Sequence, residues 1–140
     1  KTNFGALIAP GGWKATAHGY YVSLQPEGYS MIAGGLYEAS PEQLDRFRTA
    51  IDANPRPLKA VLAAPGFKKA FGGLAGERLK TAPKGYDRDH PDLALLQLKQ
   101  IVVIRRFADA DVLAPDFTKH VIAHCRAMRP FLDYLTDLHI

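Results

Sequence analysis

The chain has 140 residues, 47% of them apolar and 23% charged, with a net charge of +4; this fits one domain over residues 1–140 with a full core and a mixed, solvated surface. Its one cysteine, Cys125, excludes an internal disulfide framework and a multi-cysteine zinc site, and fits a reducing, cytoplasmic setting. No apolar run reaches the roughly 18 residues of a membrane span, and there is no signal-peptide pattern.

The apolar run Phe4–Ala9 follows Lys1-Thr2-Asn3 directly, without an initiator Met. It reads as a central or covered strand, and the domain is expected to lack its N-terminal part. Pro10-Gly11-Gly12 ends this strand, and Trp13–Thr16 reads as a loop or hairpin edge. Gly19–Gln25 alternates Tyr20, Val22 and Leu24 against Tyr21, Ser23 and Gln25, which places one set on a core. After the turn Pro26-Glu27-Gly28, a strand over Tyr29–Ala33 closes an antiparallel hairpin; Gly34-Gly35 is expected to weaken or bulge it before Leu36-Tyr37.

The apolar period then changes from two to 3.6. Ser40-Pro41-Glu42-Gln43 carries a helix cap, a first-turn proline and a capping-box partner, followed by the stripe Leu44, Phe47, Arg48 and Ile51. Asn54-Pro55-Arg56-Pro57 stops that helix, and short helices over Leu58–Ala63 and around Phe67–Phe71 follow. Asp89 or His90 caps a further helix, with Pro91 in its first turn, running to Gln100 with Lys99 at its C-terminal end. Ile101–Ile104 is a β-branched run typical of a strand buried on both faces, with Arg105 and Arg106 at its exit. A long helix from Asp116 carries the stripe Phe117, Val121, Cys125, Met128, Leu132 and Leu135, kinked or divided at Pro130. The order of elements argues an α+β fold: a largely antiparallel sheet covered on one side by helices, with a long C-terminal helix.

Three groups of residues carry possible chemistry. His120 and His124 have the spacing of two metal ligands on one helix, but no glutamate follows His120, so they read as surface histidines and no metal is expected. His90, with Tyr86 and Asp87 close in sequence, has the makings of an acid–base group; His18, before the best strand, is the other candidate. Helix capping accounts for the residues around His90 equally well. Cys125 lies on an apolar stripe and reads as core. None of the Gly-Gly pairs has the pattern of a phosphate loop, and no cofactor is expected.

The third group is cationic. Gly76–Arg106 gathers Arg78, Lys80, Lys84, Lys99, Arg105 and Arg106 around a turn, a helix and a strand. Arg105 and Arg106 alternate faces, so one is aimed at the covered side, where a guanidinium needs an anion or a fork of acceptors. Pairing with Glu77, Asp87, Asp89 and Asp92 is the plainer account of these charges. Tyr20, Tyr21, Trp13 and Tyr37 add an aromatic wall or simply pack the sheet.

Lys1-Thr2-Asn3-Phe4-Gly5, Gly19-Tyr20-Tyr21 and Ala33-Gly34-Gly35-Leu36-Tyr37 resemble the domain of unknown function 2461 family, bacterial and fungal proteins without an assigned activity. The ordered set Leu79-Lys80, Pro83-Lys84-Gly85-Tyr86, His90-Pro91, Leu95-Leu96 and Lys99 carries the resemblance furthest. It covers essentially the whole chain and implies an α+β domain preceded by a helical segment and an arginine-rich stretch. It supplies no catalytic residues.

Three functional readings follow. The first is a binding module holding a small anion or an acidic partner group through Tyr20, Tyr37, Arg78, Lys80, Lys99 and Arg105. The second is a hydrolase-like enzyme using His90 or His18 beside Tyr86 and Asp87. The third is a structural or interaction domain whose charges only face solvent. Nucleic acid ranks below all three, because the charge is modest and no recognition motif is present.

Overall fold

Four strands form one antiparallel sheet in the order β1-β2-β3-β4 in a computed structural model that describes residues 3–12 and 18–140. The loop expected over Trp13–Thr16 lies outside the described residues, as do Lys1 and Thr2. The strands are β1 (Phe4–Ile8), β2 (Tyr20–Leu24), β3 (Ser30–Leu36) and β4 (Ile101–Phe107). Between β3 and β4 lie α1 (Pro41–Ala53), α2 (Arg56–Ala63), α3 (Pro65–Phe71) and the single turn α4 (Leu93–Leu96); α5 (Asp109–Leu113) and α6 (Phe117–Asp137) follow β4. The architecture is α+β.

Register decides what each strand shows to each side, because side chains alternate. Val22 pairs with Ala6 and Ile32, Tyr20 with Ile8 and Gly34, and Gly34 with Val103. That set faces the helices. Ile32, Ile101 and Val103 are buried there with Phe47 and Ile51 of α1, Leu58 of α2, Phe67 of α3, and Met128, Phe131, Leu132 and Leu135 of α6. Each such side chain contributes about 1.5–3 kcal/mol on burial. Gly34 lets α6 approach, because a Cβ there would stand 2.3 Å from the Met128 sulfur.

The local signals in α1 are realised in full. Ser40 Oγ accepts from the Gln43 amide and Gln43 Oε1 accepts from the Ser40 amide, the reciprocal cap that Ser-Pro-Glu-Gln encodes. Arg48 projects from the same helix and donates through Nε to the Leu96 carbonyl at 2.8 Å and through Nη2 to the Leu98 carbonyl at 3.3 Å. One guanidinium therefore satisfies two carbonyls at the end of α4.

Five expectations are corrected. First, β1 is neither central nor covered: it forms one margin of the sheet and all five of its residues are exposed. Its apolar content therefore does not report burial. Second, β3 continues through Gly34-Gly35 to Leu36; Gly35 takes φ 109° and its neighbours stay in register with β4. Third, the helix expected from Pro91 to Gln100 is only one turn, because the segment 75–79 draws residues 97–102 into antiparallel bridges at Ala75–Val102 and Arg78–Leu98. Lys99 therefore sits beside a bridge rather than at a helix end, and its amide donates to the Glu77 carbonyl. Fourth, β4 extends past Ile104 to Phe107, so both arginines lie within the strand. Fifth, of the two outcomes expected at Pro130, a kink or a division, division does not occur: α6 is one helix across it. Pro130 and Arg126, whose carbonyl loses its helical donor, are both exposed, so the lost bond falls on the solvent side of the helix.

Candidate functional site

The side of the sheet away from the helices is the unusual surface of this molecule. Its positions are Gly5 and Leu7 of β1, Tyr21 and Ser23 of β2, Met31, Ala33 and Gly35 of β3, and Val102, Ile104 and Arg106 of β4. An antiparallel sheet with one wet face ordinarily alternates apolar against polar. Here the face is mostly apolar, with Ser23 of β2 and Arg106 of β4 as its polar positions, and Ser23 and Val102 are buried. It forms a concavity of about 470 Å³, with Tyr21, Ala33, Val102 and Ile104 in its lining and His18 and Tyr37 also contributing. That volume lies within the range of small-molecule sites, roughly 300–1,000 Å³.

Local sequence explains the shape. Tyr21 lies across β1 because position 5 is glycine: a Cβ there would stand 2.5 Å from the Tyr21 hydroxyl. Gly35 holds the far strand in close approach, because a Cβ there would stand 2.2 Å from the Ile101 carbonyl oxygen. Arg106 pairs in register with Met31 and is exposed on this face, one side-chain repeat beyond Ile104. Among the described residues no carboxylate forms an ion pair with it.

The six residues expected to bind an anion are not gathered at one place. Arg78, Lys80 and Lys99 share the bridged segment: Arg78 Nε donates to the Ala94 carbonyl at 3.3 Å, and Lys99 Nζ lies 3.4 Å from Glu77 Oε2. Lys80 is exposed. Arg105 lies on the helix side, in register with Ile32, and its Nη1 donates at 3.5 Å to the Ala70 carbonyl near the end of α3. The acceptor it meets is a helix carbonyl. Tyr20 packs against the core on the helix side; burial raises its pKa, Cys125 adds to the rise, Arg129 opposes it and Asp133 adds again. Tyr37 is exposed and lines the open-face concavity.

The histidine candidates are also placed. His90 Nδ1 accepts the Asp92 amide at 3.0 Å, so the ring proton sits on Nε2, which donates to Asp52 Oδ1 at 2.8 Å. The Tyr86 ring meets His90 edge-on at 6.3 Å between centroids. Asp87 Oδ1 accepts the Asp89 amide, closing a local turn. The carboxylate on His90 thus comes from α1, 38 residues away, and nothing in the neighbouring sequence signals it. Asp92 is buried and pairs with Lys59 of α2. This polar cluster ties the 86–92 loop to α1 and α2, and both His90 nitrogens are engaged within it. His18 Nε2 contacts the Ile140 main-chain oxygen at the rim of the open face.

On α6, His120 Nε2 pairs with Asp116 at 3.0 Å, and His124 Nδ1 donates to the His120 carbonyl at 2.6 Å. The His124 ring stands edge-on to Phe71 and Phe107. Among the described residues no group of three or more His, Cys, Asp and Glu side chains is placed to hold a metal ion, and no helix is long and apolar enough to cross a membrane. Cys125 is half-buried against the core, and burial raises its pKa away from a reactive thiolate.

Fold and surface together define an α+β protein with a helix-covered antiparallel sheet and an open apolar face. The chain belongs to the DUF2461 family, described as a conserved hypothetical protein, whose model matches residues 1–134. No curated protein and no solved structure matches it.

Proposed function

We propose that this chain is a binding module whose site is the open face of the sheet. Its ligand class is an amphipathic anion: a flat apolar body lies over Tyr21, Ala33, Val102 and Ile104, and its negative group reaches toward Arg106. The observation that carries this reading is that all four strands contribute apolar or aromatic side chains, among them Leu7, Tyr21, Ala33 and Ile104, to one concavity on the side without helices. Solvent-facing strand positions gain nothing by being apolar unless something covers them, so a contiguous apolar patch marks a contact site. Arg106 supplies the charge preference, since among the described residues it has no carboxylate partner.

The test is fluorescence titration with anilinonaphthalene sulfonate, a flat aromatic anion, with inorganic phosphate as a charge-only control. Saturable enhancement is expected, competed by decanoate and unaffected by phosphate. Ala33→Trp, which fills the concavity, is expected to abolish it. Absence of saturable binding, or equal binding by Ala33→Trp, overturns the reading.

A further inference from the structure

We propose that β1 is the seam of a two-fold symmetric dimer of this chain, a contact along the sheet's edge that borders the open-face site at Leu7. The sheet has two margins, and they are finished differently. The β4 margin is bridged at its start by the segment 75–79, through Ala75–Val102, and carries the charges of Arg105 and Arg106 further along. Beyond β1 there is no further strand among the described residues, and Phe-Gly-Ala-Leu-Ile has no charge, proline or bulge to discourage pairing. Phe4 is 70% exposed, Leu7 52% and Ile8 56%.

The sequence of β1 favours a second copy of itself as the occupant. Antiparallel pairing centred on Ala6 sets Phe4 opposite Ile8 of the second copy on the helix side, and Leu7 opposite Gly5 on the open face. The second copy's Leu7 comes against the Tyr21 ring that fills the space over Gly5, an apolar contact, and no charge opposes a like charge. Leu24 and Leu113 line a second hollow beside Phe4, and they are 38% and 83% exposed. With Phe4, Leu7 and Ile8 they present on the order of 500 Å² of apolar surface per copy, near the roughly 500 Å² per partner that a specific interface needs before the strand backbone is counted. Because the opposite margin is bridged at Val102 and carries two arginines that discourage pairing, self-pairing closes at two copies instead of propagating.

The experiment is sedimentation equilibrium of the 140-residue chain from low to high micromolar concentration, with two variants. The wild type is expected to dimerise. Ala6→Lys, at an exposed position, places two ammonium groups face to face on the symmetry axis; it is expected to be monomeric with an unchanged circular dichroism spectrum. Ala6→Cys in a Cys125→Ser background is expected to form a covalent dimer on mild oxidation, since paired strand positions bring Cα atoms to about 4.5–5.5 Å, within disulfide reach. A wild type that stays monomeric overturns the proposal. So does a dimer that Ala6→Lys leaves intact, an Ala6→Cys chain that does not cross-link, or growth to higher oligomers.

Discussion

Arg105 and Arg106 are neighbours in sequence and lie on opposite faces of the sheet, Arg105 across from Ile32 under the helices and Arg106 across from Met31 on the open face. Arg106→Ala is therefore expected to weaken anilinonaphthalene sulfonate binding about 1.5- to 5-fold, the range of one exposed charge contact. Arg105→Ala is expected to leave that affinity unchanged and to lower stability by about 0.5 kcal/mol through loss of its long bond to Ala70. Parallel fluorescence and urea titrations of the two variants check both.

Gly35 has φ 109°, a conformation L side chains rarely adopt, and a Cβ there would press on the Ile101 carbonyl. Gly35→Ala is expected to cost about 3 kcal/mol or more, combining backbone strain with displacement of β4. Chemical denaturation measures it. A loss below about 1 kcal/mol would mean that the strand relaxes freely at this point.

Arg48 holds the Leu96 and Leu98 carbonyls with a fork that lysine cannot reproduce. Arg48→Ala is expected to destabilise by about 2–3 kcal/mol, with Arg48→Lys recovering less than half. Hydrogen exchange of the amides in the 93–99 segment should accelerate in both variants.

The helical layer was largely legible because its signals are local. Ser40-Pro41-Glu42-Gln43 announces its own cap, and the stripe on α6 needs only its period. The margin of the sheet was not legible, because an apolar strand reads the same whether it is covered by protein or exposed at an edge, as Phe4–Ile8 demonstrates. Candidate-site residues divided in the same way. Tyr37 was singled out and lies in the open-face lining, whereas Ala33, Val102 and Ile104 are ordinary strand residues until register puts them on one face. Asp52 meets His90 only through the packing of α1 on the 86–92 loop.

The Tyr134 hydroxyl is buried without a hydrogen-bond partner among the described residues, and burial raises its pKa from the ordinary 10.0. Tyr134→Phe is expected to be neutral or to stabilise by about 0.5–1 kcal/mol, since it removes an uncompensated polar group. The sign of the pH dependence follows from linkage. A raised folded-state pKa favours the protonated, neutral form, so stability is full below the unfolded value and falls as pH rises through the folded one. Tyr20 and Cys125 shift in the same direction. Thermal unfolding midpoints are thus expected to decline in the alkaline range, from about pH 9 upward, and less steeply in Tyr134→Phe.

Backbone amide shift mapping with anilinonaphthalene sulfonate addresses the binding site most directly. Perturbations confined to Tyr21, Ala33, Gly35, Val102, Ile104 and Arg106 are the predicted result. Perturbations centred on the α1–α3 layer or on the Arg78–Lys99 bridge, with the open face silent, would contradict it.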